Sequence, residues 1–196
     1  MLRNPRASLT LESPKFQKLG NENREGEGLN YNNNSKLNND EAMAISTKSK
    51  GQVTTQQVQV EKPTPTESEL LVRVEYSALD TSLNYFVDHS MFASFVHAKM
   101  DPLIVGWHYC GTVESVGENV EDFKINDQVF GHLAYDPKNT QGTLAEYIVV
   151  EKTECARKPN SVGGDVCAAS ATESTTALQS LRDLGGLEKD SDVLIL

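Results

Sequence analysis

Histidine, cysteine and glycine pairs are few enough in this 196-residue chain to be weighed one at a time. The three cysteines, Cys110, Cys155 and Cys167, are odd in number, widely spaced and never arranged as CxxC. That pattern fits reduced thiols in an intracellular compartment and provides no cluster for structural zinc. His108 lies in the run IVGWHYCG. An imidazole there is either a packed core group with one nitrogen satisfied or a proton-handling group in a pocket. Its neighbour Trp107 reads as pocket wall or core, because an indole brings area and a single donor rather than acid–base chemistry. The pairs Gly163-Gly164 and Gly185-Gly186 lack the spacing that lets backbone amides cradle a pyrophosphate, so they read as turn and cap glycines.

The elements that must position these residues begin after a change of texture. Residues 1–41 contain nine asparagines, few aliphatic residues and no helical or strand period, which predicts a disordered leader. Its first twenty residues set Arg3, Arg6, Lys15 and Lys18 against the one acid Glu12. That bias suits either an organelle transit peptide or a functionless extension, with the cytoplasm as the alternative location. The formal charge of −10 falls entirely between Ala42 and Leu196. It argues against nucleic acid and against anionic membrane as partners, since both require a cationic face. No apolar run approaches the ~18–20 residues of a membrane span.

From Ala42 the chain breaks into short strand-like runs with turn residues between them. Val53–Val60 ends at Pro63 and Pro65, which cannot donate to a ladder. Leu70–Tyr76 alternates Val72, Val74 and Tyr76 against Arg73 and Glu75, as a half-buried strand does. Thr112–Val116, Gln128–Leu133 and Leu144–Val150 follow, with Asn126 placed where a left-handed backbone is tolerated. This density of short strands predicts an antiparallel barrel. After Pro159 the period becomes helical. Ser170-Ala171-Thr172-Glu173 has capping-box spacing, Ala177, Leu178, Leu181 and Leu184 define an apolar face, and Gly185-Gly186 supplies a stop. Ser191–Leu196 (SDVLIL) reads as a buried parallel strand.

Taken in order, the runs IVGWHYCGTVESVGENVEDFKINDQVFG, QGTLAEYIVV, ATESTTALQSLRDLGGL and DVLIL resemble the medium-chain dehydrogenase/reductase superfamily, in its zinc-free quinone-oxidoreductase-like branch. The resemblance implies a mainly β GroES-like barrel for substrate, over residues 42–160. Residues 161–196 would then be the first helix and strand of an α/β Rossmann domain, cut off before its glycine-rich loop. In zinc-dependent members the stretch matching GWHYCG carries a ligand histidine where this chain has Trp107, and the other two ligand positions fall on Asp80 and Thr172. No zinc is therefore expected.

The resemblance further implies hydride delivery from NADPH to a quinone or an α,β-unsaturated carbonyl compound, a small-molecule partner. Oligomerisation and the choice of NADPH over NADH stay open. The segment SALDTSLNY matches one that lines the active site, which makes Asp80 and Tyr85, with His108, the candidate catalytic residues. Thr176 matches a threonine beside the nicotinamide ring. The competing expectation is a non-catalytic GroES-like binding or scaffold module without a nucleotide domain. These 196 residues taken alone are expected to bind NADPH poorly and to be inactive.

Overall fold

β-branched and aromatic residues spaced by turn formers produce eight strands among the described residues. The computed structural model describes residues 39–49, 52–80, 83, 93–98 and 103–194, all within the unit Lys36–Leu196. The expected leader as far as residue 38 and the candidate Tyr85 lie outside the described residues. Strands β1 (Asn39–Ser49) and β2 (Gln52–Glu61) pair antiparallel, and a two-residue β4 (Leu103–Ile104) lies on the other edge of β1. A second, five-stranded sheet is built from β3 (Glu69–Ala78), β5 (His108–Val116), β6 (Gln128–His132), β7 (Tyr147–Glu151) and β8 (Cys155–Arg157). Its order is β7-β3-β5-β6-β8, with every neighbouring pair antiparallel. A one-turn helix α1 (Ala93–Val96) precedes β4. The sheets are joined through the segment before β7, where Met43 N donates to Leu144 O at 2.7 Å and Glu146 N donates to Glu41 O at 2.9 Å. Leu70, Val72, Tyr109, Val113, Val129 and Ile148 form the heart of the core. Each such side chain contributes ~1.5–3 kcal/mol on burial.

The architecture is the expected barrel-like assembly of short antiparallel strands, and Asn126 takes the left-handed backbone anticipated for it, with φ of 74°. Three local expectations need correction. β1 begins at Asn39, so Asn39, Asp40 and Glu41 belong to a sheet although composition assigned them to the leader. Asp40 shows the cause: it is 1% exposed, and its carboxylate accepts the N–H groups of Glu146 at 3.0 Å and Tyr147 at 3.3 Å. A polar side chain here finishes the ladder instead of fraying it. In β3 the simple alternation fails. Leu70, Leu71 and Val72 are buried in succession and Tyr76 is 46% exposed, because irregularities in the β3–β5 pairing at Leu71/Val72 and Val74/Tyr76 turn the strand between them.

The third correction concerns the helix. α2 runs Gly164–Leu178 and starts six residues before the expected capping box, with Gly163 as N-cap and Cys167 N donating to Gly163 O at 3.0 Å. Ser170 lies inside it and its hydroxyl donates back to Cys167 O at 3.4 Å, a bond that satisfies serine within a helix without capping it. A wider turn at Gln179–Leu184 continues α2, and Gly186 then ends it at φ of 61°, in keeping with the expected glycine stop. The side chains buried from α2 are Cys167 and Ala168, which pack on Cys110, Ala78 and Phe130. The anticipated apolar face is open: Leu178 is 50% exposed and Leu184 86%. Asp192–Leu194 form no strand, and the last two residues of SDVLIL lie outside the described residues.

Candidate active site

Strand pairing sets the site. At the start of β5, His108 faces Ala78 of β3 on one side and His132 of β6 on the other. Asp80, two residues past the end of β3, therefore arrives beside His108, with Oδ2 3.8 Å from Nε2. The cross-strand partner His132 brings its ring to 4.9 Å from that of His108. Helix α2 lies across β3, β5 and β6, and Thr172 Oγ1 stands 2.8 Å from His108 Nε2. His108 itself is 2% exposed. A buried imidazole hydrogen-bonded to a hydroxyl, with a carboxylate close by, is held in one orientation, as proton transfer requires.

Of the candidates named from sequence, Asp80 and His108 come together, and Thr172, named there only as a vacant metal position, joins them. Thr176 is exposed on α2 one helical turn beyond Thr172, on the same face. Sequence reasoning missed His132 and Tyr135. The signal for His132 was its pairing: once HYC and QVFGH are adjacent antiparallel strands, the two histidines are opposed. Tyr135 follows in the next turn, edge-on to the His132 ring at 4.8 Å and tilted against Trp107 at 6.1 Å. Burial first, and then the neighbouring His108, push the pKa of His132 down to about 4. Burial, reinforced by the charges of Asp80 and Glu173, raises that of the Tyr135 phenol. Both rings are thus neutral near pH 7. Trp107 is 3% exposed within the core and also meets His97 edge-on at 6.2 Å. His97 is held by the carbonyls of Ala98 at 2.8 Å and Gln141 at 3.0 Å, a structural arrangement.

Asp80, His108 and Glu173 each bring one ligand atom to within 4.8 Å of the others. The donor set is one nitrogen and two carboxylates, and the nitrogen is already bonded to Thr172. Catalytic zinc prefers nitrogen- and sulfur-rich sets, whereas an oxygen-rich set is the chemistry of harder cations. Asp80, Trp107 and Thr172, the positions matched to zinc ligands, do not form a set either, since Trp107 packs in the core and offers only an N–H donor.

Residues 66–160 match the family of the alcohol dehydrogenase GroES-like domain. The chain is 37% identical over 99 residues to the NAD(P)H oxidoreductase RTN4IP1, mitochondrial, of Danio rerio, an alignment covering 48% of this chain and 25% of that protein. It is 30% identical over 123 residues to the chloroplast envelope quinone oxidoreductase homolog of Arabidopsis thaliana, covering 63% of this chain and 36% of that one. The quinone oxidoreductase from Coxiella burnetii has the same fold, with a TM-score of 0.65 at 20% identity over 78% of this chain and 47% of its own. The chain spans 25% and 36% of the two curated relatives and 47% of the solved neighbour. The antiparallel barrel with α2 laid across it and the matched domain make residues 66–160 an alcohol dehydrogenase GroES-like domain, similar to proteins named quinone and NAD(P)H oxidoreductases.

Proposed function

We propose that this chain is the substrate side of a zinc-independent, NADPH-dependent reductase acting on quinones or α,β-unsaturated carbonyl compounds. The observation that carries the reading is His108, buried, with Nε2 2.8 Å from Thr172 Oγ1 and 3.8 Å from Asp80 Oδ2. NADPH, when bound, supplies the hydride; orientation and the accompanying proton fall to the protein. Hydride arriving at a conjugated carbonyl drives negative charge onto the carbonyl oxygen. A hydroxyl both donates and accepts, so Thr172 Oγ1 can give its proton to that oxygen while taking one from His108 Nε2. Asp80 Oδ2 lies beside this relay, 3.8 Å from His108 Nε2. Thr176, exposed one turn further along α2, is the proposed contact to the nicotinamide.

The names of the relatives support a nicotinamide cofactor: three are NAD(P)H oxidoreductases, and a mycobacterial neighbour of the same fold, with a TM-score of 0.59, was solved with NADPH. The domain assignment carried with this reading is a leader that ends before Asn39, a GroES-like substrate domain from Asn39 to residue 160 and the start of a nucleotide domain over 161–196. The reduced thiols suit the cytoplasm or an organelle interior. Import of a reporter fused to residues 1–41 into mitochondria would assign the basic leader a targeting role, and retention in the cytosol would deny it.

The test is NADPH consumption with a quinone and with an enone, by the protein that carries this chain. His108→Gln and Thr172→Val are each expected to lower kcat by about a hundredfold, and prolonged chelation to leave the wild type unchanged. Quinone binding without any NADPH oxidation would favour a non-catalytic binding module and sink the reading. Unaltered kcat in both variants would remove His108 and Thr172 from it.

A further inference from the structure

We propose that Tyr135 is the specificity-determining residue of this site, offering an aromatic face on which a flat, conjugated acceptor stacks; the inference rests on the reductase reading above. The ring belongs to the site by a continuous series of contacts. His108 lies 4.9 Å from His132, and His132 lies 4.8 Å from Tyr135, centroid to centroid. Tyr135 is pinned from two directions, edge-on by His132 at 74° and obliquely by Trp107 at 49°. Yet it is 47% exposed, although Leu133, two residues earlier, is 3% exposed. A tyrosine serving the core would be covered. This one is braced by His132 and Trp107 and still half-exposed, so it loses little side-chain freedom when a ligand covers it.

The surroundings favour an uncharged planar ligand. His132 Nε2 is buried with no hydrogen-bond partner among the described residues, and its ring stays neutral. The Tyr135 phenol also stays neutral, its pKa raised by burial first and then by the carboxylates of Asp80 and Glu173. Those carboxylates repel anionic ligands, and a neutral quinone or enone escapes that penalty. The quadrupole of an aromatic face favours an offset, electron-poor ring above it, an advantage that a puckered saturated ketone of similar size cannot collect.

Trp107, the chain's single tryptophan, is 3% exposed and packs against Tyr135, so its emission reports occupancy of this face with little collisional quenching. Duroquinone is the probe, because its four methyl groups block addition of thiols to the ring. Cyclohexanone, measured as a competitor against it, is the puckered control. Duroquinone should quench the wild-type chain saturably. Tyr135→Leu, which keeps bulk and loses the π face, and Tyr135→Ala should each weaken it by roughly tenfold, Tyr135→Phe by no more than about twofold, and cyclohexanone by less than about twofold in all four proteins. Far-UV circular dichroism checks folding, and Leu serves if Ala does not fold. Wild-type affinity in Tyr135→Leu overturns the proposal while leaving the reductase reading in place. Phe as weak as Leu also overturns it, by assigning the effect to the hydroxyl. A wild-type chain that duroquinone does not quench overturns the proposal together with the acceptor site on which it rests.

Discussion

Two buried groups titrate in opposite senses, and substituting each in turn should tilt the pH dependence of stability in opposite directions. In the folded chain His132 is held at a pKa of about 4 against an ordinary 6.5. Between those values the unfolded chain binds a proton that the folded chain refuses, so stability present above about pH 6.5 is lost as the pH falls towards 4. The full shift of about 2.5 units corresponds to about 3 kcal/mol. The ring is not wholly shut off from solvent, and screening reduces this to about 1–2 kcal/mol. Asp40 runs the other way. Burial raises its pKa from 3.8 to about 6, against the opposing pull of the Glu146 and Tyr147 N–H groups. Its folded form therefore takes up a proton first, and stability rises as pH falls from about 6 to about 4, again by about 1–3 kcal/mol. Glu154, raised by burial, adds to the same side. In the wild type these contributions largely cancel. His132→Phe keeps a ring between His108 and Tyr135 and removes the titration, so its stability should increase on acidification relative to wild type. Asp40→Asn should show the reverse slope. Urea unfolding at intervals from about pH 7 to about pH 4.5 measures both. If both variants keep the wild-type slope, the burial argument is wrong for both groups; if both tilt the same way, the assignment of sign is wrong for one of them.

Zinc or cobalt added in excess and then dialysed away should leave well under one ion per chain, because the single nitrogen near Asp80 and Glu173 is engaged by Thr172. Retention near one per chain that disappears in His108→Gln would show that the cluster does take a metal. At Gly164 a β-carbon would lie 2.6 Å from the Tyr76 ring and 3.3 Å from Cys110 Sγ. Gly164→Ala should therefore cost about 1–2 kcal/mol despite alanine's better helix propensity. The loss should shrink in a Tyr76→Ala background, and strictly additive losses would refute the contact.

The strands were legible in sequence because their alternation and turn residues act locally. β6 and β7 begin or end within three residues of the expected places. What escaped depended on partners distant in sequence. Asp40 and Asn39 look like leader by composition, yet they pair with Val60 and Glu61 of β2, and the N–H groups of Glu146 and Tyr147, more than a hundred residues away, hold the Asp40 carboxylate. Ser170-x-x-Glu173 has the spacing of a cap, yet the helix begins where Gly163 and Gly164 let it approach Tyr76 and Cys110, so packing rather than local hydrogen bonding chose its start. Leu178, Leu181 and Leu184 have the intervals of a buried face and are exposed here, since periodicity says which residues share a face and is silent about what covers it. In the site, Asp80 and His108 could be named from sequence. His132 and Tyr135 could not, because the register of β5 against β6 had to be known first.

That register explains why two adjacent residues take different parts. Trp107 turns into the core among residues such as Val96 and Leu133 and packs against Tyr135, whereas His108 meets Thr172 on α2. The exposed Tyr135 ring is thus coupled to the packing of the barrel, and the proposed proton-handling group His108 is coupled to the seating of a helix. A substitution that loosens α2, such as Gly164→Ala, should disturb the His108–Thr172 bond while leaving the Trp107–Tyr135 contact in place. A core substitution near Trp107 should do the opposite. In kinetic terms the first belongs with losses in kcat and the second with losses in acceptor binding. An assignment of residues to the two roles can therefore be made from which of the two parameters moves, without any substitution at His108 or Tyr135 themselves.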